Sequence, residues 1–483
     1  MSETAVVWFR DDLRVHDNET LNAAVAGAER VVPLYVFDER EHAGTGMFDL
    51  SKKGARWGRF RREAVVDLRA SLRDLGGDLL VRHGDPRAVV PAVAETVDAD
   101  TVHLQTKPAT EELADEHAVQ SLLADRGIDT ERHWTHTLYH VDDLPTPSHD
   151  IHDTFTPWRE EVEREATVRA PLSTPAAVTT PPLGAAGDAD VPSLEELGHD
   201  PADASYDDRG VLAFEGGETA ALERLDDYIW DGDHLRKYKE TRNGLLGADY
   251  SSKFSAWLAH GCLSPRRVHA AVERYEDERV ANEDTYWLVF ELLWRDFFQF
   301  QFVKHGADFF RPNGIRDVEK EWRRGPEARE AFERWAAGET GVPFVDANMR
   351  ELNATGYMSN RGRQNVASFL ADAMGVDWRL GAAYFESRLV DYDVASNWGN
   401  WAYQAGVGND SRDNYFDVLA QAEHYDPGAE YVTHWLPELD GLPAEYAHRP
   451  WRLSAAGQER HGVVLGRDYP EPPFDVAERF RKL

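Results

Sequence analysis

Between residues 357 and 404 the chain reads YMSNRGRQNVASFLADAMGVDWRLGAAYFESRLVDYDVASNWGNWAYQ, a stretch that few folds accommodate. Its apolar runs have helical spacing, yet they carry Asn360, Arg361, Arg363, Asp391, Asp393 and Asn397 among Trp378, Trp398 and Trp401. Burying charged groups beside large aromatics is costly unless the charges are paired or meet a polar ligand. A large, flat, partly polar ligand is such a partner, so the stretch predicts a helical domain built around one. Asn360 and Arg363, three apart, would share a helix face there.

The N-terminal third has a different rhythm. AVVWF, VVPLYVF, DLLVRHG and TVHLQ read as buried strands, and the spans 19–28, 52–75, 86–97 and 111–124 between them carry apolar positions at helical spacing. This alternation predicts a doubly wound parallel sheet covered by helices over residues 1–134. No GxGxxG follows the first strand and no Walker lysine loop is present, so dinucleotide and nucleoside-triphosphate readings lack support. Residues 135–209 become rich in Pro, Ala, Asp and Thr; TPAAVTTPPLGAAGDADVP has no apolar period and cannot fold alone. They read as an interdomain connector in which TFTPWREEVERE is one amphipathic helix. From 210 to 483 the patterns are helical. The expected fold is an α/β N-terminal domain followed by an all-α C-terminal domain.

The formal net charge is −34, and only nine of the 53 basic residues are Lys. An acidic, Lys-poor surface stays hydrated where salt is concentrated, which points to a salt-loving source. One cysteine, Cys262, excludes an intrachain disulfide and a cysteine-based metal site, and no metal is expected. Its apolar setting in GCLSP marks it as a small buried hydrophobe. No signal-peptide pattern opens the sequence and no apolar run reaches the length of a membrane span. The expectation is a cytoplasmic monomer with no membrane contact.

Two further segments carry chemistry. Ser251, Ser252 and Ser255 lie where a loop enters a helix, and hydroxyls with free N–H groups at such a place suit an anion such as a diphosphate. Simple N-capping by serine is the alternative. In YWLVFELLWRDFFQFQF, three- and four-residue steps put Trp287, Glu291, Trp294 or Arg295, and Phe298 on one helix face. A carboxylate in so apolar a helix needs either a raised pKa or a dedicated partner, and a Glu291–Arg pair is one solution.

WFRDDLRVHDN, YKETRNG, DYSSKFS, GCLSP, YWLVFELLWRD, TGVPFVDANMRELNATGYMSNRGRQ, DWRLGAAYFESRLVDYDVASNWGNW and AGVGND occur in that order over nearly the whole chain. Together they resemble the photolyase and cryptochrome family, with wording closest to its DASH group. The resemblance implies one FAD in the C-terminal domain, its diphosphate held by Tyr238 and the segment Ser251, Ser252, Lys253, Phe254 and Ser255. It places Glu291, Arg295, Asn360, Arg363, Asp391, Asp393 and Asn397 around the flavin. It assigns DNA contacts to Arg242, Glu291, Trp294, Arg361, Gln364 and Tyr403, the two arginines on phosphates, with surface charge pairing as their alternative. Glu291 would meet the pyrimidine carbonyls of a lesion and Trp294 its bases. Trp401, Trp378 and Trp322 match the family's chain of tryptophans, which passes an electron inward to photoexcited oxidised flavin.

In the family, double-strand dimer photolyases carry Trp at the position of Tyr403 and Met at that of Gln364, so both departures imply a looser pocket and a preference for single strands. The resemblance implies blue-light repair of cyclobutane pyrimidine dimers in DNA. A photoreceptor that signals without repair, and a flavin-bound nucleic-acid-binding protein, are the alternatives. In the loop TKPATEEL, Lys107 or Pro108 stands where pterin-binding members present a glutamate. Methenyltetrahydrofolate, a deazaflavin and an empty site all stay open for the antenna.

Overall fold

The computed structural model describes residues 3–182, 190–409 and 415–482. Five parallel strands, β1 (Thr4–Phe9), β2 (Arg30–Phe37), β3 (Leu80–His83), β4 (Thr101–Gln105) and β5 (Asp129–His133), form a sheet in the order β3-β2-β1-β4-β5. Ala5, Val7 and Phe9 of β1 pack on one face with α1 (Glu19–Gly27) and α2 (Ala55–Asp74). Val6 and Trp8 pack on the other with α3 (Pro86–Thr96) and α4 (Thr110–Ala124). With both faces covered, β1 (TAVVWF) and β2 (RVVPLYVF) read as near-continuous apolar runs. β5 was not expected from its sequence, DTERH. It lies at the sheet edge and pairs with β4 through the main chain, Gln105 opposite His133, so it needs no apolar pattern.

The connector contains the expected helix, α5 (Phe155–Glu165), and then returns as extended chain over the α/β layer. Val178 donates its N–H to the Leu75 carbonyl, and the Thr179 carbonyl accepts from Val31, both at 2.9 Å. Val178 and Leu197 are buried, so the segment finds in the sheet domain the apolar surface it lacks itself. The middle of its Pro/Ala-rich stretch, 183–189, lies outside the described residues.

The loop after β1 is the clamp between the two halves. Asp17, only 1% exposed, accepts from Arg266 at 2.7 and 3.0 Å and also from the Ser264 hydroxyl. Glu218 accepts the Val15 and His16 N–H groups at 2.7 and 3.0 Å, and Arg14 donates to the Gly261 carbonyl at 2.7 Å. Gly261 has φ +71°, and a Cβ there would strike the Asp11 carbonyl, so only glycine lets the halves approach. Beside it Cys262 is fully buried, and burial pushes its thiol up to about 12, as fits an inert hydrophobe.

The helical half is organised by α6 (Glu283–His305), α7 (Asn360–Ser368), α8 (Trp378–Arg388) and α9 (Val394–Gln404). Each start has a local cause. Asn282 and Thr285 form a reciprocal cap on α6, the Ser359 hydroxyl accepts the Gly362 N–H at 3.0 Å, and Asp393 accepts that of Ser396 at 2.8 Å. Buried Asp296 of α6 accepts the N–H groups of Leu138 and Tyr139 at 2.9 Å each, which fixes the start of the connector against the helix. Among the described residues no helix is long and apolar enough to cross a membrane.

Candidate functional site

A cavity of about 430 Å³ opens where α6, α7, α8 and α9 meet the short helix Ser255–Ala259. The expected residues converge on it. Tyr238, Ser251, Ser252, Lys253, Phe254 and Ser255 line it from the segment leading into the short helix; Asn360, Arg361, Arg363 and Gln364 come from α7; Asp391, Asp393, Asn397 and Trp401 come from α9 and the turn before it. Arg242, Glu291, Trp294, Arg295 and Tyr403 complete the lining. Trp322 and Trp378 do not reach it, and Trp287, expected on the cavity face of α6, stands beside it.

At the serine end the hydroxyls are not used for capping. The residue before the short helix is Phe254, and no side chain caps it. Lys253, with φ +62°, is 3% exposed, and its Nζ reaches the Ser251 hydroxyl at 3.0 Å. Burial pulls this ammonium down to about 6, and the Glu351 carboxylate only partly offsets that. A buried lysine whose ammonium form lacks a full counter-charge, beside the Ser252 and Ser255 hydroxyls, fits a phosphate, which would supply that counter-charge.

The residues of α7 and α9 suit a flat polar ring. Arg363 donates through Nη2 to both Asp391 oxygens, at 2.9 and 2.7 Å. Asp393 caps α9 and accepts from Gln299 at 2.9 and 3.0 Å. Burial opposes its ionisation, yet Lys107 and Arg295 hold its pKa at about 2. Asn397 is anchored through Nδ2 to the Ala382 carbonyl at 3.0 Å. The Gln364 side-chain oxygen is buried without a hydrogen-bond partner, the state of an acceptor waiting for a ligand's donor.

At the rim Arg242 is ion-paired with Glu291, with its guanidinium 5.2 Å over the Trp287 ring. The pair leaves the other guanidinium donors of Arg242 for a further contact. Burial still pushes the Glu291 carboxyl up, against the pull of Arg242. Arg361 donates to the Asn243 side chain at 3.1 Å and lies 4.7 Å over the Tyr425 ring. Trp294 has one face stacked on Phe155, 3.7 Å between centroids and 8° between planes, and meets Tyr403 edge-on at 6.0 Å. Phe155 opens α5 in the connector and was missed; its only signal was an aromatic at the start of an amphipathic helix.

Trp401 lines the cavity and packs edge-on against Phe385 at 5.1 Å. Farther out, Trp378 and Trp322 donate their indole N–H groups to the same acceptor, the Pro312 carbonyl, at 3.1 and 3.0 Å. That shared carbonyl fixes the two outer rings relative to each other. The indole of Trp401 lies on Gly381 of α8, where a Cβ would collide with it. Gly381→Ala is therefore expected to displace Trp401 and lower thermal stability, with flavin content and unfolding temperature as the readouts. Unchanged values would show that the ring moves aside freely.

A second cluster lies away from the cavity. His103 of β4 faces Glu131 and His133 of β5, with 3.5 Å from His103 Nδ1 to the Glu131 carboxylate. The two imidazoles place their nitrogens 3.1 Å apart with centroids at 5.4 Å and planes 14° apart. The nitrogens thus lie on the line between the rings. That is a direct N–H···N bond rather than two lone pairs converging on an ion.

Residues 5–178 match the family described as DNA photolyase, and residues 287–483 match the FAD binding domain of DNA photolyase. Cryptochrome DASH of Natronomonas pharaonis, a halophilic archaeon, is 65% identical over 481 residues, covering 100% of both chains. The crystal structure of a Synechocystis cryptochrome superposes with a TM-score of 0.94 at 46% identity, over 99% of this chain and 98% of that one. A class III photolyase from Agrobacterium tumefaciens superposes at 0.86 with 29% identity, over 100% and 96%. The order of phrases along the sequence, the two-part fold and the residues gathered at the cavity agree with these similarities: the chain belongs to the photolyase and cryptochrome family, among the DASH cryptochromes.

Proposed function

We propose that the chain is a blue-light DNA photolyase that splits cyclobutane pyrimidine dimers, preferring single strands and working as a monomer. The observation that carries this reading is one cavity with three matched parts. A buried lysine and serines suit a diphosphate, Arg363–Asp391 and Asp393 suit the polar edge of an isoalloxazine, and an aromatic rim with Glu291 suits an extruded pyrimidine dimer. The residues present fit FAD, and the FAD-binding match coincides with the helices that supply most of them. Bound and reduced, FAD would supply an electron under light and take it back once the cyclobutane ring has opened.

The chain's own groups do the rest. Trp294, pinned by Phe155, offers a flat surface for the lesion's bases, and stacking contributes about 1–3 kcal/mol per base. Extrusion from a duplex costs a few kcal/mol and less from an open strand. Tyr403 and Gln364 make the opposite rim smaller than a Trp and Met pair would, so it holds an extruded duplex dimer less tightly. Glu291 faces the bound pyrimidines; burial pushes its carboxyl up, and in the protonated form it donates a hydrogen bond to a carbonyl where negative charge develops, in a water-poor pocket. Arg242 shares that carboxylate and must yield or join the contact when a lesion enters. For the antenna, Lys107 is buried with Asp11 at 3.1 Å, so position 107 offers a pterin no carboxylate. A deazaflavin or an empty site fits that better.

One observation favours a second reading, a photoreceptor that reduces its flavin without repair: the Glu291 carboxylate is already engaged by Arg242. Light-dependent loss of dimers from a single-stranded oligonucleotide in high salt, against a dark control, decides between them. Loss from the single strand and little from the duplex is expected. Equal loss from both would remove the argument from Tyr403 and Gln364, and normal flavin photoreduction with no loss would select the photoreceptor.

A further inference from the structure

Lys107 belongs to the α/β half, in the loop after β4, and is 3% exposed. Its ammonium lies 3.1 Å from Asp11 and 3.6 Å from Asp393. Asp11 is held in turn by Arg61, which also donates to the Arg10 carbonyl at 2.9 Å. Asp393 is 8% exposed, lines the cavity and caps α9, the helix that carries Asn397, Trp401 and Tyr403. A cation from one half of the molecule thus closes on the acid that sets the head of the ligand-binding helix in the other.

We propose that Lys107 is a positioning residue of the flavin site: it fixes the Asp393 carboxylate at the head of α9 and offsets its charge, which makes reduction of bound FAD easier. This rests on the reading that the cavity binds FAD. The lost charge sets the sign. Reduced flavin in such sites is an anion, so loss of a nearby buried cation disfavours it, and the interior screens that charge poorly. Without Lys107, Asp393 keeps Arg295 and Gln299 as partners but loses its link to Asp11, so α9 is less firmly held. The pKa directions agree. Burial works against both carboxylates, and Lys107 is foremost among the groups that keep each ionised.

The test is a spectroelectrochemical titration of bound flavin in the purified full-length protein, comparing wild type with Lys107→Gln, Lys107→Met and Lys107→Arg. Lys107→Gln keeps a hydrogen-bonding side chain of similar reach and removes only the charge, so it remains informative if Lys107→Met does not fold. At the wild-type midpoint potential, the charge-free variants are expected to raise the oxidised-to-reduced ratio at least tenfold, about 30 mV for a two-electron couple. Lys107→Arg should restore most of the wild-type value. A ratio within twofold of wild type in Lys107→Gln, with flavin bound, overturns the proposal. Wild-type protein that binds no flavin even when FAD is added overturns the cavity assignment itself, a distinguishable failure.

Discussion

Replacing Trp401 by Phe should slow photoreduction of the oxidised flavin at least tenfold while leaving repair by chemically reduced protein in place. An indole gives up an electron far more readily than a benzene ring, and Trp401 is the member of the tryptophan series that lines the cavity. Trp378→Phe and Trp322→Phe should slow photoreduction as well, since their rings meet at the Pro312 carbonyl. Trp335 also touches Trp401, at 6.0 Å and nearly perpendicular, and donates to the Val366 carbonyl. Trp335→Phe is therefore the control. The measurement is the decay of the oxidised flavin band under steady blue light with an external reductant. Undiminished decay in Trp401→Phe would rule out the series as the electron path.

The second large effect concerns binding. At about 1 M salt the Debye length is only about 3 Å, and affinity that depends on counterion release falls steeply. With a net charge of −34, the protein has no broad electrostatic attraction to DNA on which to rely. Stacking then decides, and Trp294→Ala should weaken binding of a dimer-containing single strand tenfold or more in high salt. Arg361→Ala should cost less than threefold there and more in low salt. Fluorescence titrations at the two salt concentrations separate the cases, and the reverse order at high salt would contradict the account.

How much of this was legible in the sequence follows from the reach of each interaction. Strands β1 and β2 are readable because both faces are buried, so their apolar runs are local and nearly unbroken, and the shorter apolar pieces of β3 and β4 are marked by the helical spans between them. β5 is not, because its pairing is carried by main-chain groups that leave no mark in DTERH. Arg363 and Asp391 could each be singled out because they sit in one unusual stretch, whereas their pairing appears only in the fold. The Arg242–Glu291 pair could be named only as an alternative, since either a partner or a ligand satisfies a buried carboxylate. Lys107 and Asp393 are far apart in sequence, and nothing near either residue announces the other. Asp296 sits five residues after Glu291 and so points elsewhere on α6, and only the folded chain brings it to Leu138 and Tyr139. Phe155 opens a helix that is legible as amphipathic, but nothing local tells that its ring backs Trp294.

The most direct test of the central claim is a single-flash experiment on anaerobically photoreduced protein saturated with a single-stranded oligonucleotide carrying one dimer. Dimers split per flash are counted together with the fraction of flavin that is again reduced afterwards. The account predicts that dimers are split, that the flavin ends reduced, and that Glu291→Ala lowers the yield per flash even when the strand is saturating. Reduced flavin with the strand bound and no dimer split by any flash would contradict it.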